Sequence, residues 1–164
     1  IPMTNLLDRL NRLTYAALAG LGSFSILMGA FMFQAIGYAP CAMCLWQRWP
    51  HAIAILLALA FVATRRAWLL PLGALSMAIS AGIGFYHTGV ERGWWLGPSS
   101  CTGGGNNLGA LSPDALLPGA SPTESIVMCD EVVWDLFGLS MASYNVLFSI
   151  AFALIWLLAW DKRD

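Results

Sequence analysis

The sequence predicts an all-α integral membrane protein, a four-helix bundle with a long, irregular outer loop between helices 3 and 4. Three observations carry this. Hydrophobic residues make up 59% of the 164 and charged ones only 10%, far from the balance of a soluble domain. Four runs reach the roughly 20 apolar residues that a helix needs to cross a hydrocarbon core about 30 Å thick. Between the last two runs lies a stretch rich in Gly, Ser, Pro and Asn, too long for an ordinary connection.

The first span, about 13–33, has no charge within it. Arg9 and Arg12 precede it, as basic residues precede a signal peptide, but the run exceeds the roughly 7–15 residues of a cleavable apolar core and is read as a span. Ala16 and Gly20 offer small residues one turn apart for close packing. The second span, about 45–64, carries Arg48 near its start and Pro50 soon after, a proline that belongs near a helix start or a kink. The third, about 67–90, has His87 near its end and Ser76, Ser80 and Gly84 at four-residue steps. The fourth, about 136–160, runs between Asp135 and Asp161. Backbone amides cannot go unpaired in lipid, so each run is a helix. The connections at about 34–44 and 91–135 are unequal: Gly37 and Pro40 interrupt the first, and Leu108 to Leu117 in the second is a candidate short interfacial helix. The chain, 1–164, reads as one membrane domain without internal repeats.

Orientation follows from the basic residues. With four crossings Arg9, Arg12, Arg65, Arg66, Lys162 and Arg163 share one side, leaving Arg48 and Arg92 on the other, which places both termini in the cytoplasm. Trp46, Trp49, Trp94, Trp95 and Trp134 then mark the outer edge and Trp68, Trp156 and Trp160 the inner one, an aromatic belt on both faces. A net charge of −1 without a basic stretch gives no reason to expect nucleic acid as a partner.

All four cysteines, Cys41, Cys44, Cys101 and Cys129, fall on the outer side and none within a span. An even count outside the cytoplasm points first to disulfides. Cys101 and Cys129 can close a long loop, either as a structural bridge or as an exchanging one. A ring closed by Cys41 and Cys44 removes little loop entropy and stabilises weakly, so Cys-x-x-Cys there favours redox exchange, or two thiolates of a metal site. A structural zinc site normally brings a second close pair, which this chain lacks, so no metal is expected. The redox reading has an energetic requirement. Oxidising a partner dithiol near −120 mV with a disulfide below about −300 mV is uphill by about 8 kcal/mol, so the final acceptor must be stronger, and a membrane dissolves quinone. Cys44 lies one turn from Arg48 at the expected helix start, and both features lower a thiol's pKa. Arg48 can also hydrogen-bond a quinone carbonyl.

These residues resemble the bacterial disulfide bond formation protein B (DsbB) family of quinone-dependent membrane oxidases. The likeness covers nearly the whole chain: four spans, "CAMCLWQR" entering the second, Cys101 alone in the long outer loop, and "CDEVVWDLFGLSMA" from Cys129 into the fourth. It implies a bacterial inner-membrane location with the cysteines periplasmic. It also implies a relay in which a thioredoxin-like, DsbA-like oxidase attacks a Cys101–Cys129 disulfide through Cys101. Cys129 then attacks Cys41, and Cys44, released as thiolate, donates to ubiquinone or menaquinone beside Arg48. Loop glycines would let Cys129 travel between its partners. His87 matches a histidine of the family's third span and is placed near the quinone. Gln47 is placed either beside the quinone head group or at a plain interfacial position. His51 reads as a helix residue at the outer boundary, Glu91 as a solvated helix end, and Trp134 and Asp135 as anchors of the fourth span. Two other readings stay in view: a non-catalytic, disulfide-stapled membrane protein, and a metal-handling one.

Overall fold

The computed structural model describes residues 11–98, 101 and 128–162. Within them four helices alternate in direction: α1 (Arg12–Ala35), α2 (Ala42–Thr64), α3 (Leu69–Glu91) and α4 (Met141–Asp161). All four are long and apolar enough to cross a membrane. Each packs on its neighbours in sequence, and α1 closes the ring against α4. The candidate helix over 108–117, Arg9 and Arg163 lie outside the described residues.

Two helix starts differ from the hydropathy boundaries, each for a local reason. α2 begins at Ala42 because Cys41 caps it, its Sγ accepting the Cys44 backbone N–H at 3.3 Å. α4 begins only at Met141, because the chain first folds back on itself. There β1 (Asp135–Leu136) pairs antiparallel with β2 (Leu139–Ser140), Asp135 opposite Ser140. Phe137 and Gly138 join them with φ of 52° and 74°, the all-positive geometry of a type I′ hairpin turn. Ser140 then caps α4 by accepting the Ser143 N–H. Apolar content alone cannot separate this hairpin from a helix; Gly138, whose missing Cβ permits positive φ, is the local feature that does.

The bundle has three tiers along its axis. At the end away from the cysteines, small residues on α1 and α2 (Ala16, Ala19, Ala54, Ala58) and larger ones on the other helices (Leu70, Met77, Trp156) form an apolar core. Gly20 abuts Ala58 so closely that a Cβ would not fit. Trp156, expected in the inner aromatic belt, is instead fully buried, its indole lying over Gly73 of α3. A polar layer follows: the Ser76 hydroxyl donates to the Pro50 carbonyl at 2.8 Å, and Ser80, Ser149, His51 and Asn145 bond to one another. The cysteines occupy the third tier. On α1 the buried residues stop at Ser23, so its upper half stands away from the core.

Candidate redox site at the cysteine end of the bundle

Cys41, Cys101 and Cys129 are buried in one cluster with Met43 and Val90, and Cys44 packs against it. Cys101 and Cys129 form a disulfide, while Cys41 and Cys44 are free thiols with their sulfurs 3.1 Å apart. Thus a disulfide and a dithiol share one pocket of packing. Cys129 is already fully buried beside the α2 pair in this state, and the loop glycines thought to carry it lie outside the described residues.

The two thiols are not equivalent. Cys41 Sγ takes the N-cap position of α2 and accepts the Cys44 N–H, and His87 Nε2 lies 3.5 Å away. Once Cys41 is ionised its sulfur can only accept, and the Cys44 thiol then donates to it. The Cys41 thiol is accordingly held far below a free cysteine's range, by the Cys44 hydrogen bond above all, with burial opposing and His87 adding to the effect. This corrects the sequence expectation for Cys44. The helix N-terminus favours a thiolate at Cys41, because the cap residue and not the residue a turn later receives the free amides.

Arg48 turns away from the pair. Its guanidinium donates to Gln34 Oε1 at 2.7 Å and to the Ala30 carbonyl at 3.4 Å on α1, and lies over the Phe31 ring. Arg48, Cys41, Cys44, Gln47, His51 and His87 all line one cavity of about 400 Å³ between the raised half of α1 and helices α2 and α4. The rest of its wall is mainly apolar, including Leu27, Phe33 and Phe148. That size suits a small organic ring, and Arg48 is the cationic donor on the wall.

Gln47 is buried and its amide is fully engaged by protein groups. Nε2 donates to the Met43 carbonyl at 3.1 Å and to His87 Nδ1 at 2.9 Å, and Oε1 accepts from Asn145 Nδ2 at 2.8 Å. His51, 2% exposed, donates from Nε2 to Asn145 Oδ1 at 2.9 Å. Glu91 is not a solvated helix end. Its carboxylate accepts from Ser140 Oγ and lies 3.7 Å from His87 Nε2, its side chain 7% exposed. Trp134 packs edge-on against Phe33 and near Tyr144, at the cavity wall. Sequence reading missed Asn145 and Ser80 as partners in this network. A lone amide inside an apolar span was the available signal.

The sulfurs of Cys41 and Cys44 and a ring nitrogen of His87 lie within 4.8 Å of one another, close enough in space for a soft ion. In this structure they bond to each other. Comparison with known proteins agrees with the cysteine pattern. The family model described as "Disulfide bond formation protein DsbB" matches residues 11–159. Disulfide bond formation protein B of Verminephrobacter eiseniae (strain EF01-2) is 31% identical over 165 aligned residues, covering 94% of this chain and 86% of the relative. No solved structure gives a significant match. With a model matched across all four helices and a relative aligned over almost its full length, this chain belongs to the disulfide bond formation protein B family.

Proposed function

We propose that this protein re-oxidises a periplasmic thioredoxin-like dithiol oxidase, a DsbA-like partner, and passes the electrons to a membrane quinone. The observation that best supports this reading is the burial of a disulfide and a dithiol in one cluster beside an apolar cavity. The relay begins when a partner thiolate attacks Cys101, releasing Cys129 as thiolate. Cys129 attacks Cys41 of an oxidised Cys41–Cys44 pair and releases Cys44. The partner's second thiolate then displaces Cys101, leaving the partner oxidised. Cys101 attacks Cys129, the Cys129–Cys41 bond breaks, and its electron pair stays on Cys41. This returns the arrangement seen here: Cys101–Cys129 oxidised, Cys41 and Cys44 reduced.

Ubiquinone or menaquinone would supply the oxidising power, taking two electrons and two protons per dithiol. Arg48 and the apolar wall would hold it, with Cys44 on the same lining. Stabilising the Cys41 thiolate stabilises the reduced pair, which makes Cys41–Cys44 a stronger oxidant of Cys129 than an ordinary disulfide. The protein then sits in the bacterial inner membrane, with both termini cytoplasmic and the cysteines periplasmic.

Reconstitution with quinone and a reduced thioredoxin-like partner tests this. Wild type should oxidise the partner and Cys44→Ser should lose nearly all turnover. Normal turnover by Cys44→Ser removes Cys44 as the electron exit. A wild type that leaves its partner reduced while both cysteine pairs resist mild reductant is a stapled structural protein, and stoichiometric metal after chelator-free purification marks a metal-handling one.

A further inference from the structure

Four hydrogen bonds at the site run in one direction, and two backbone carbonyls fix that direction. Gln47 Nε2 lies against the Met43 carbonyl and Asn145 Nδ2 against the Ser80 carbonyl, at 3.1 and 3.4 Å. A carbonyl only accepts, so in both amides the nitrogen must stand where it does. Gln47 Oε1 is then the acceptor of Asn145, and His87 Nδ1, facing Gln47 Nε2 at 2.9 Å, is an acceptor too. A histidine that accepts at Nδ1 is neutral and carries its proton on Nε2. That nitrogen faces Cys41 Sγ. At the other end Asn145 Oδ1 accepts from His51 Nε2, so the sequence of donors is His51, Asn145, Gln47, His87, and the final acceptor is Cys41.

We propose that Gln47 and Asn145 are positioning residues that lock His87 as its Nε2–H tautomer and complete a one-way donor chain ending on the sulfur of Cys41. Hydrogen bonds aligned head to tail polarise one another, and the positive end of each donor points toward that sulfur. The chain therefore favours negative charge on Cys41. Its catalytic consequence rests on the relay proposed above: when Cys101 attacks Cys129, the leaving electron pair arrives on Cys41 where an N–H awaits it, and no proton has to move. His87 acts there as a donor and not as a base, because taking a proton at Nδ1 requires Gln47 to give up its bond. The other groups facing Cys41 are Cys44 from α2, its sulfur 3.1 Å away, the uncharged Cys101–Cys129 disulfide, and Glu91 from α3, which competes for the His87 proton. Arg48 is occupied with α1, and Ser140, the cap of α4, is the partner of Glu91.

Nitrogen-15 NMR of histidine-labelled, reduced protein in detergent tests this without partner or quinone, so it stands or falls apart from the relay. His87 should show a protonated Nε2 and a bare Nδ1, unchanged as pH crosses the ordinary histidine value of about 6.5. A proton on Nδ1, or a ring that titrates normally in the wild type, overturns the proposal, and no variant has to fold for that result. In a Cys44→Ser background, where Cys41 is the one free thiol of its pair, Gln47→Leu should raise the midpoint of the Cys41 alkylation profile by about 0.7 pH unit, about a fivefold loss of thiolate at a fixed pH below the midpoint. An unchanged midpoint with Gln47→Leu also overturns it.

Discussion

Cys41 occupies the place a serine or aspartate usually takes at the start of a helix, and sulfur in that place becomes an anion site. The pH consequence has a definite sign. A depressed thiol pKa contributes stability to the folded, reduced protein that is complete above the ordinary thiol value and is lost progressively as pH falls from there through the depressed value. In Cys44→Ser, where the serine hydroxyl can still donate, alkylation of Cys41 should therefore stay level as pH rises toward about 8.5, a range over which an ordinary thiol gains rate about tenfold per unit. A profile with its midpoint near that ordinary value would show that the cap does not act. The four cysteines were legible in the sequence from spacing and from their common side of the membrane. Asn145 and Ser80 were not, because pairing an amide with a distant hydroxyl needs the rotation of two helices about their axes. Glu91 was misjudged for a related reason: a charge at a helix end is solvated unless another chain segment covers it, and here Ser140 does.

Among the helices, close approach depends on which small residue faces which neighbour. Gly73 lies under the Trp156 ring, whereas nothing surrounds the Cβ position of Gly82 on the same helix. Gly73→Ala should thus destabilise the α3–α4 contact by about 1–3 kcal/mol, as overpacking does, while Gly82→Ala stays within about 0.5 kcal/mol. Thermal or SDS unfolding in detergent distinguishes the two, and equal losses would mean that Trp156 simply moves aside. The four helices were legible from length and hydropathy, and the Ser76, Ser80 and Gly84 stripe does lie buried. The short hairpin before α4 was not legible, since "LFGL" is as apolar as the span it precedes.

Over the whole molecule, polarity is graded along the bundle: apolar core, hydroxyl and amide layer, then sulfur. Basic side chains Arg12, Arg65, Arg66 and Lys162 lie at the opposite end from the cysteines. In sealed inner-membrane vesicles a single cysteine placed at Arg66 should react with an impermeant maleimide only from the cytoplasmic face, and reaction from the other face would invert the proposed topology. The bundle as such could be read from the sequence. The cavity could not, because it arises where α1 fails to follow its neighbours, and a run of apolar residues is the same whether it packs on protein or borders a gap.

The sulfur cap on α2 can also be stated electrically. A charge at a helix N-terminus is worth roughly 0.3–1 kcal/mol, and a two-electron couple converts about 1.4 kcal/mol into about 30 mV. The peptide backbone of a single helix thus contributes roughly 6–20 mV to the driving force for reducing Cys41–Cys44, a built-in bias set by where the first turn begins.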